Sequence, residues 1–145
     1  DINTSLNGIF NAPYSLTNTP PRDSADFIIP AFNPANLINA PAGATHFRLV
    51  NAIVSISDWV FNPATSSYEP TDPTLNSLSN VRYSGYLSLN ATTPATTITT
   101  LLPGSPSMTP TVSVLNCVGI EFYQQVGANY YLFAQGNALR CDNVF

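Results

Sequence analysis

His46 is the only histidine in the chain, which excludes a histidine-rich metal site and leaves one candidate general base. It stands in THFRLV, a run that reads as a strand in which His46 alternates with Phe47, and no G-x-S-x-G elbow accompanies it, so its expected role is structural or turn-capping. Cys117 lies in an apolar strand, an environment that raises a thiol's pKa, so pairing it with His46 does not make a nucleophile. Asp23 with Asp26, or Glu69 with Asp72, offers loop carboxylates to a calcium ion, but neither pair has the repeated D-x-D spacing of a calcium loop. PAGAT (41–45) and LPGSP (102–106) lack the glycine spacing, the lysine and the following helix of a phosphate loop. The chemistry-bearing residues therefore predict no catalytic residue, no metal and no cofactor, and the protein is expected not to be an enzyme.

The aromatics are the stronger signal. Tyr83, Tyr86, Tyr123, Tyr130 and Tyr131 lie on or beside β-rich runs, where tyrosine combines a large apolar area with a hydroxyl that stays wet. They suit stacking on sugar rings or anchoring a protein partner, and they are also good strand formers that pack across strands. Pro and Gly punctuate the chain, and no segment keeps a helical apolar period for three turns. Short β-rich runs recur instead at 27–32, 45–56, 59–61, 81–89, 96–102, 111–126, 129–134 and 138–145, the spacing of an all-β antiparallel sandwich of immunoglobulin-like or jelly-roll-like kind. Phe47, Leu49, Ile53 and Trp59 read as core. In the run from Val112, alternation puts Val118, Ile120, Phe122 and Val126 on the core face and Glu121, Tyr123 and Gln125 on the other. The Pro-rich stretches 61–77 and 90–97 read as loops, and residues 1–145 as a single domain.

The stretch QQVGANYY breaks at Gly127 and Ala128, a pair suited to a two-residue type II′ turn, and predicts a long C-terminal hairpin. The next break, QGN at 135–137, allows either a second turn, giving a meander, or a bulge that lets the second arm run on. With a turn centred on 127 and 128, paired numbers sum to about 255 and Cys117 faces Ala138. A bulge absorbing three residues brings Cys141 opposite Cys117 and makes a disulfide between them feasible, whereas a meander separates them beyond disulfide reach. Two free thiols, each acting as a small hydrophobe, are the alternative. From Tyr123 to Leu139 there is neither charge nor proline to protect a sheet edge, so Tyr123, Gln125, Tyr130 and Tyr131 form the expected interface, with Tyr123 either solvent-exposed or covered by another chain.

Only 8% of the 145 residues are charged, against about 25% in an average soluble domain, and the net charge is −4. All four basic residues are arginines, so there is no basic patch for nucleic acid. No apolar run reaches the 18 or more residues of a membrane span, and DINTSLNG has no signal-peptide pattern; the start at Asp1 leaves room for a longer, processed precursor. The Asn-x-Ser/Thr sites at Asn3 and Asn90 are what such an Asn- and Thr-rich composition contains by chance.

The phrases IPAFNPANLINAPAGATHFRLV (29–50) and VGIEFYQQVGANYYLFAQGNAL (118–139) resemble the C-terminal domain of an uncharacterised family of Bacteroidota proteins. The chain departs from that pattern in Cys117 and Cys141, in having no lysine, and in a longer Thr/Pro-rich middle. The resemblance implies a source group and a preceding portion, and no activity. Weak charge removes repulsion between copies, so the expected function is a non-enzymatic structural protein that self-assembles as a homo-oligomer or polymer. It would be a subunit of a surface filament, sheath or virion shell, located outside the cell, at its surface or in a virion. The alternative is a module that binds a glycan or another protein.

Overall fold

The computed structural model describes residues 4–145, so Asn3 and its glycosylation motif lie outside the described residues. In chain order the elements are α1 (Leu6–Ile9), β1 (Ser15–Asn18), β2 (Ser24–Ile29), α2 (Pro34–Leu37), β3 (His46–Ser57), β4 (Trp59–Asn62) and β5 (Ser67–Pro70). They continue with β6 (Ser79–Tyr83), β7 (Leu87–Ser88), β8 (Thr96–Leu101), β9 (Val112–Val126), β10 (Asn129–Leu132) and β11 (Ala138–Val144). Both helices are single turns. Asn33 caps α2 by accepting a 3.1 Å bond from the Ala35 N–H, and Pro34 occupies the first helical position, where its missing N–H is harmless.

The fold is an all-β antiparallel sandwich. One sheet runs β1-β2-β8; the other runs β10-β9-β3-β6, with β7 beside β3 and β11 beside β9. The spine is the β3–β9 ladder, twelve paired positions from His46 opposite Tyr123 to Ser57 opposite Val112. Alternation sends Phe47, Leu49, Asn51 and Ile53 from β3, and Val114, Asn116, Val118, Ile120 and Phe122 from β9, toward the three-stranded sheet. There they meet Phe27 and Ile29 of β2 and Ile98 of β8. Each fully buried large side chain contributes roughly 1.5–3 kcal/mol.

The core has two apolar clusters, one around Phe27, Phe47 and Phe122 and a smaller one around Ile53, Leu102 and Val114. Polar side chains buried from solvent link the sheets beside them. Asn51 donates from Nδ2 to the carbonyls of Ala25 (3.0 Å) and Ile98 (2.8 Å), and so joins β3 to both β2 and β8. Asn116 donates to Asn51 Oδ1 at 2.6 Å, and Thr100 donates to the Asn51 carbonyl at 2.9 Å.

The closing strands settle the topology left open by the sequence. Gly127 has φ +61 while Ala128 does not have positive φ, as a type II′ turn requires, and β10 pairs Tyr130 with Gln125 and Asn129 with Val126. Residues 133–137 then form an irregular break, after which β11 resumes on the same edge of β9 with Ala138 opposite Ile120 and Cys141 opposite Cys117. The pair sum moves from 255 to 258, as a three-residue bulge demands, and a meander is excluded. At Gly119 an added Cβ would lie 2.4 Å from the Ala138 carbonyl oxygen, so the close approach of β11 requires glycine there.

Four expectations are corrected. Trp59 is 53% exposed, because among the described residues β4 pairs only with β5 and this ribbon has no facing sheet. Val126 is 57% exposed, because the hairpin tip overhangs the core. The stretch 61–77 is not all loop: it contains the return strand β5, which brings Tyr68 opposite Phe61. The run 81–89 is two short strands separated by Ser84, Gly85 and Tyr86.

Replacing Asn51 with Leu leaves the Asn116 amide with only the Ala52 carbonyl at 3.2 Å and removes both donors to the opposite sheet. The loss of stability is expected to be about 2–4 kcal/mol, read as a lower urea midpoint of the circular-dichroism transition with an unchanged slope.

Candidate functional site

On the outer face of the six-stranded sheet, β3 presents His46 and Arg48, and their register partners on β9 are Tyr123 and Glu121. Tyr83 arrives from the end of β6, opposite Val50, and Tyr86 from the irregular segment that follows. The hairpin folds Tyr130 over the same face. Tyr86 and Tyr130 stack in parallel with centroids 3.9 Å apart, and Tyr123 meets the Tyr86 ring edge-on at 4.9 Å. His46 meets Tyr130 edge-on at 5.0 Å, and Thr45 Oγ1 lies 2.9 Å from its Nδ1.

The Arg48 guanidinium lies 4.3 Å from the ring centre of Tyr83, 5.0 Å from that of Tyr86 and 5.2 Å from that of Tyr123. This is a cation held among aromatic faces. It also pairs with Glu121 Oε2 at 3.3 Å, and the Tyr123 hydroxyl donates to the same oxygen at 2.7 Å. Burial, followed by the hydrogen bond to Glu121, pushes the Tyr123 phenol up to about 12.

Tyr123 is therefore not the solvent-facing or partner-covered residue expected of it. It is only 5% exposed, and its own chain covers it with Tyr86. Of the other expected interface residues, Tyr130 is half-buried in the stack, while Gln125 and Tyr131 are exposed, Tyr131 at 56%. The structure thus brings Tyr83, Tyr86, Tyr123, Tyr130 and His46 together around Arg48, and leaves Tyr131 outside this cluster on the other face of β10. The Arg48–Glu121 pair was missed in the sequence. Its signal is the spacing His46-x-Arg48 against Glu121-x-Tyr123 on two strands that pair antiparallel.

Further along this face a groove of about 290 Å³ is lined by Val50, Val81, Tyr83, Glu121 and Leu139. That volume lies at the lower limit of small-ligand pockets. The remaining carboxylates are held by local hydrogen bonds. Glu69 accepts from Asn62 and Thr65, and Asp72 from Thr109 and Thr111, and these bonds hold both below the usual carboxylate range. Asp23 accepts from Thr19 and Asp26 from Thr99. Among the described residues no group of three or more metal-ligating side chains comes together, and no helix is long and apolar enough to cross a membrane.

A second exposed apolar surface lies off the far end of the β3–β9 ladder. On the β4–β5 ribbon, Trp59 and Phe61 share a face with Tyr68, which meets Phe61 edge-on at 5.5 Å; all three are exposed. No protein-family model, curated protein or solved structure matches this chain.

The Tyr123 phenol supplies a pH test. Its folded-state pKa lies above the unfolded value near 10, so its contribution to stability is complete below pH 10 and is lost as pH rises toward 12. In an absorbance titration of tyrosinate, a late step near pH 12 is expected that is absent from Tyr123→Phe. Tyr14, also raised by burial, still titrates late in that variant, whose stability should fall less steeply between pH 10 and 12.

Proposed function

We propose that this protein is a non-enzymatic structural subunit that assembles end to end with copies of itself, in a filament, sheath or shell outside the cell, at its surface or in a virion. One observation carries the reading: two apolar hairpins stand at opposite ends of the β3–β9 ladder. At one end the β4–β5 ribbon exposes Trp59, Phe61 and Tyr68. At the other the β9–β10 tip exposes Val126, Tyr131 and Leu132, and among the described residues β10 pairs on one side only.

Twelve paired residues separate the two ends by roughly 40 Å. The shared face of Trp59, Phe61 and Tyr68 is an exposed apolar cluster of the kind that marks contact surfaces. The β9–β10 tip exposes apolar side chains on both its faces, and an unprotected strand edge invites strand addition. Different surfaces at opposite ends make a heterologous contact, which propagates as a filament unless its rotation closes a ring.

A second reading, a glycan-binding module, is favoured by the Tyr83 ring, which is exposed beside the Glu121 carboxylate at the groove. A parent chain that stays monomeric yet binds on a glycan array, with that binding lost in Tyr83→Ala, would support it over the first.

The test of assembly uses two blocked variants, Trp59→Ser with Phe61→Ser, and Tyr131→Lys with Leu132→Lys. All four side chains are exposed, so circular dichroism should be unchanged. Each pair removes about 3 kcal/mol or more of apolar contact, raising the concentration needed for assembly by at least ~100-fold in sedimentation or electron microscopy. A mixture of the two variants should stop at capped dimers. Trp59, the only tryptophan, should move its emission to shorter wavelength when the parent assembles. Normal assembly by both variants would sink the reading.

A further inference from the structure

Cys117 and Cys141 are the only two cysteines in the chain, and they are direct partners on adjacent antiparallel strands. Such partners have Cα atoms about 4.5–5.5 Å apart, inside the range of about 4.4–6.8 Å that disulfides adopt. Both belong to the outer face. Cys117 pairs with Ala52 there and is flanked by the inward-facing Asn116 and Val118. Both are free thiols here, Cys117 half-buried and Cys141 exposed. The register shifts immediately after Cys141, between it and Asn143, and this irregularity gives β11 the local freedom to adjust as the sulfurs join.

We infer that Cys117 and Cys141 are a covalent modification site, an intrachain cross-strand disulfide that forms by exchange with a small-molecule disulfide and fixes β11 to β9. In the first step the exposed Cys141, as thiolate, attacks one sulfur of the oxidant. The oxidant's S–S bond breaks, one small thiol leaves with a proton, and a mixed disulfide remains on Cys141. Cys117 then loses its proton and attacks Cys141 Sγ; the Sγ–Sγ bond forms, the mixed bond breaks, and the second small thiol departs. The protein loses two protons and two electrons, and the oxidant is reduced to two thiols.

The site sits where a staple has structural consequence. Among the described residues β11 is an edge strand paired only with β9, yet it carries contacts that tie the two ends of the chain together. Arg140 reaches Asn7 of α1 and donates to the Tyr14 hydroxyl at 2.7 Å; Tyr14 in turn donates to Asp142 at 2.6 Å. Phe145 exchanges two backbone bonds with Val114. Peeling of β11 would release all of these together, and the disulfide removes that route. Burial, with Cys141 close by, pushes the Cys117 thiol up to about 11. In the mixed disulfide Cys141 carries no charge, so burial alone still raises Cys117, and the second step should accelerate as the pH rises.

The test treats the full chain with oxidised glutathione and follows intact mass and non-reducing peptide maps. The expected product lacks two hydrogens, contains a peptide linked through Cys117 and Cys141, and melts about 10 °C higher until reductant is added. Cys117→Ser should stop at a lasting glutathione adduct on Cys141. The inference is overturned if the parent chain also stops at that adduct, if its thiols link only between molecules, or if the linked form melts no higher. None of these readouts depends on assembly, so failure of the end-to-end reading would leave this result intact, and the reverse.

Discussion

Asn51 holds the two sheets in register with one amide group. Its Nδ2 bonds carbonyls on both β2 and β8, its Oδ1 receives Asn116 of β9, and its own carbonyl receives Thr100 of β8. A sandwich packed only by hydrophobic contact tolerates sliding, because apolar contact is nearly indifferent to direction. A buried amide has no such tolerance, since any displacement leaves a polar group unpaired in a dry interior, at a cost of about 1–3 kcal/mol. The inward face of β3 shows the same logic along its length. Phe47 and Leu49 fill the larger apolar cluster, Asn51 ties the sheets, Ile53 fills the smaller cluster, and Ser55 and Ser57 bond the 72–78 segment that crosses the end of the sheet. Strand β3 is thus a packing surface at one end and a hydrogen-bonding surface at the other.

The other face of the same strand explains the site. With the core side occupied, β3 presents His46, Arg48, Val50 and Ala52 outward, and β9 presents Tyr123, Glu121, Gly119 and Cys117 opposite them. Arg48 and Glu121 neutralise each other at the sheet surface, and the tyrosines close over the pair. An ion pair on an open sheet is worth little because water competes for both partners. Aromatic rings above the guanidinium exclude part of that water and add cation–π attraction. The same rings pull Tyr123 under Tyr86 and Tyr130 over His46, so the β9–β10 hairpin has its base fixed to the sheet while its tip, from Gln124 to Tyr131, remains outside the core.

How much of this was legible in the sequence follows from what one-dimensional periodicity contains. It assigns each strand residue to a face, and for Phe47, Leu49, Val118, Ile120 and Phe122 the apolar face is the buried one. It also carries register wherever a turn can be identified. The Gly127-Ala128 turn and the three residues of QGN together place Cys141 against Cys117. Periodicity does not say what lies above a face. Tyr123 was on the correct face, and its burial comes from Tyr86, in an irregular segment no alternation describes. Trp59 reads as core from its type alone and is exposed, because among the described residues no sheet faces β4. The Asn51 tie was invisible for a related reason: a polar residue in an apolar alternation looks like noise until the opposing carbonyls are in place.

The scarcity of charge connects core, site and ends. The buried polar ties use Asn, Ser and Thr, which reach nearby carbonyls without the desolvation cost of an ion. Three of the four arginines serve as multi-contact braces. Arg22 bonds the carbonyls of Val112 and Thr109, Arg48 gathers Glu121 and three rings, and Arg140 gathers Asn7, Tyr14 and Asp142. A planar guanidinium suits that role in a way an ammonium group does not. The consequence is that most of the chain's positive charge is committed to holding its own segments together, and there is no lysine to stand guard at a strand edge. Soluble β proteins commonly protect such edges with lysine or proline. At β10 neither is present, and at the β4–β5 ribbon the apolar side chains outnumber the single charge, Glu69, which its own hydrogen bonds keep occupied. The braces that tie this sandwich together and the bare ends on which the proposed assembly rests thus come from the same economy of charge.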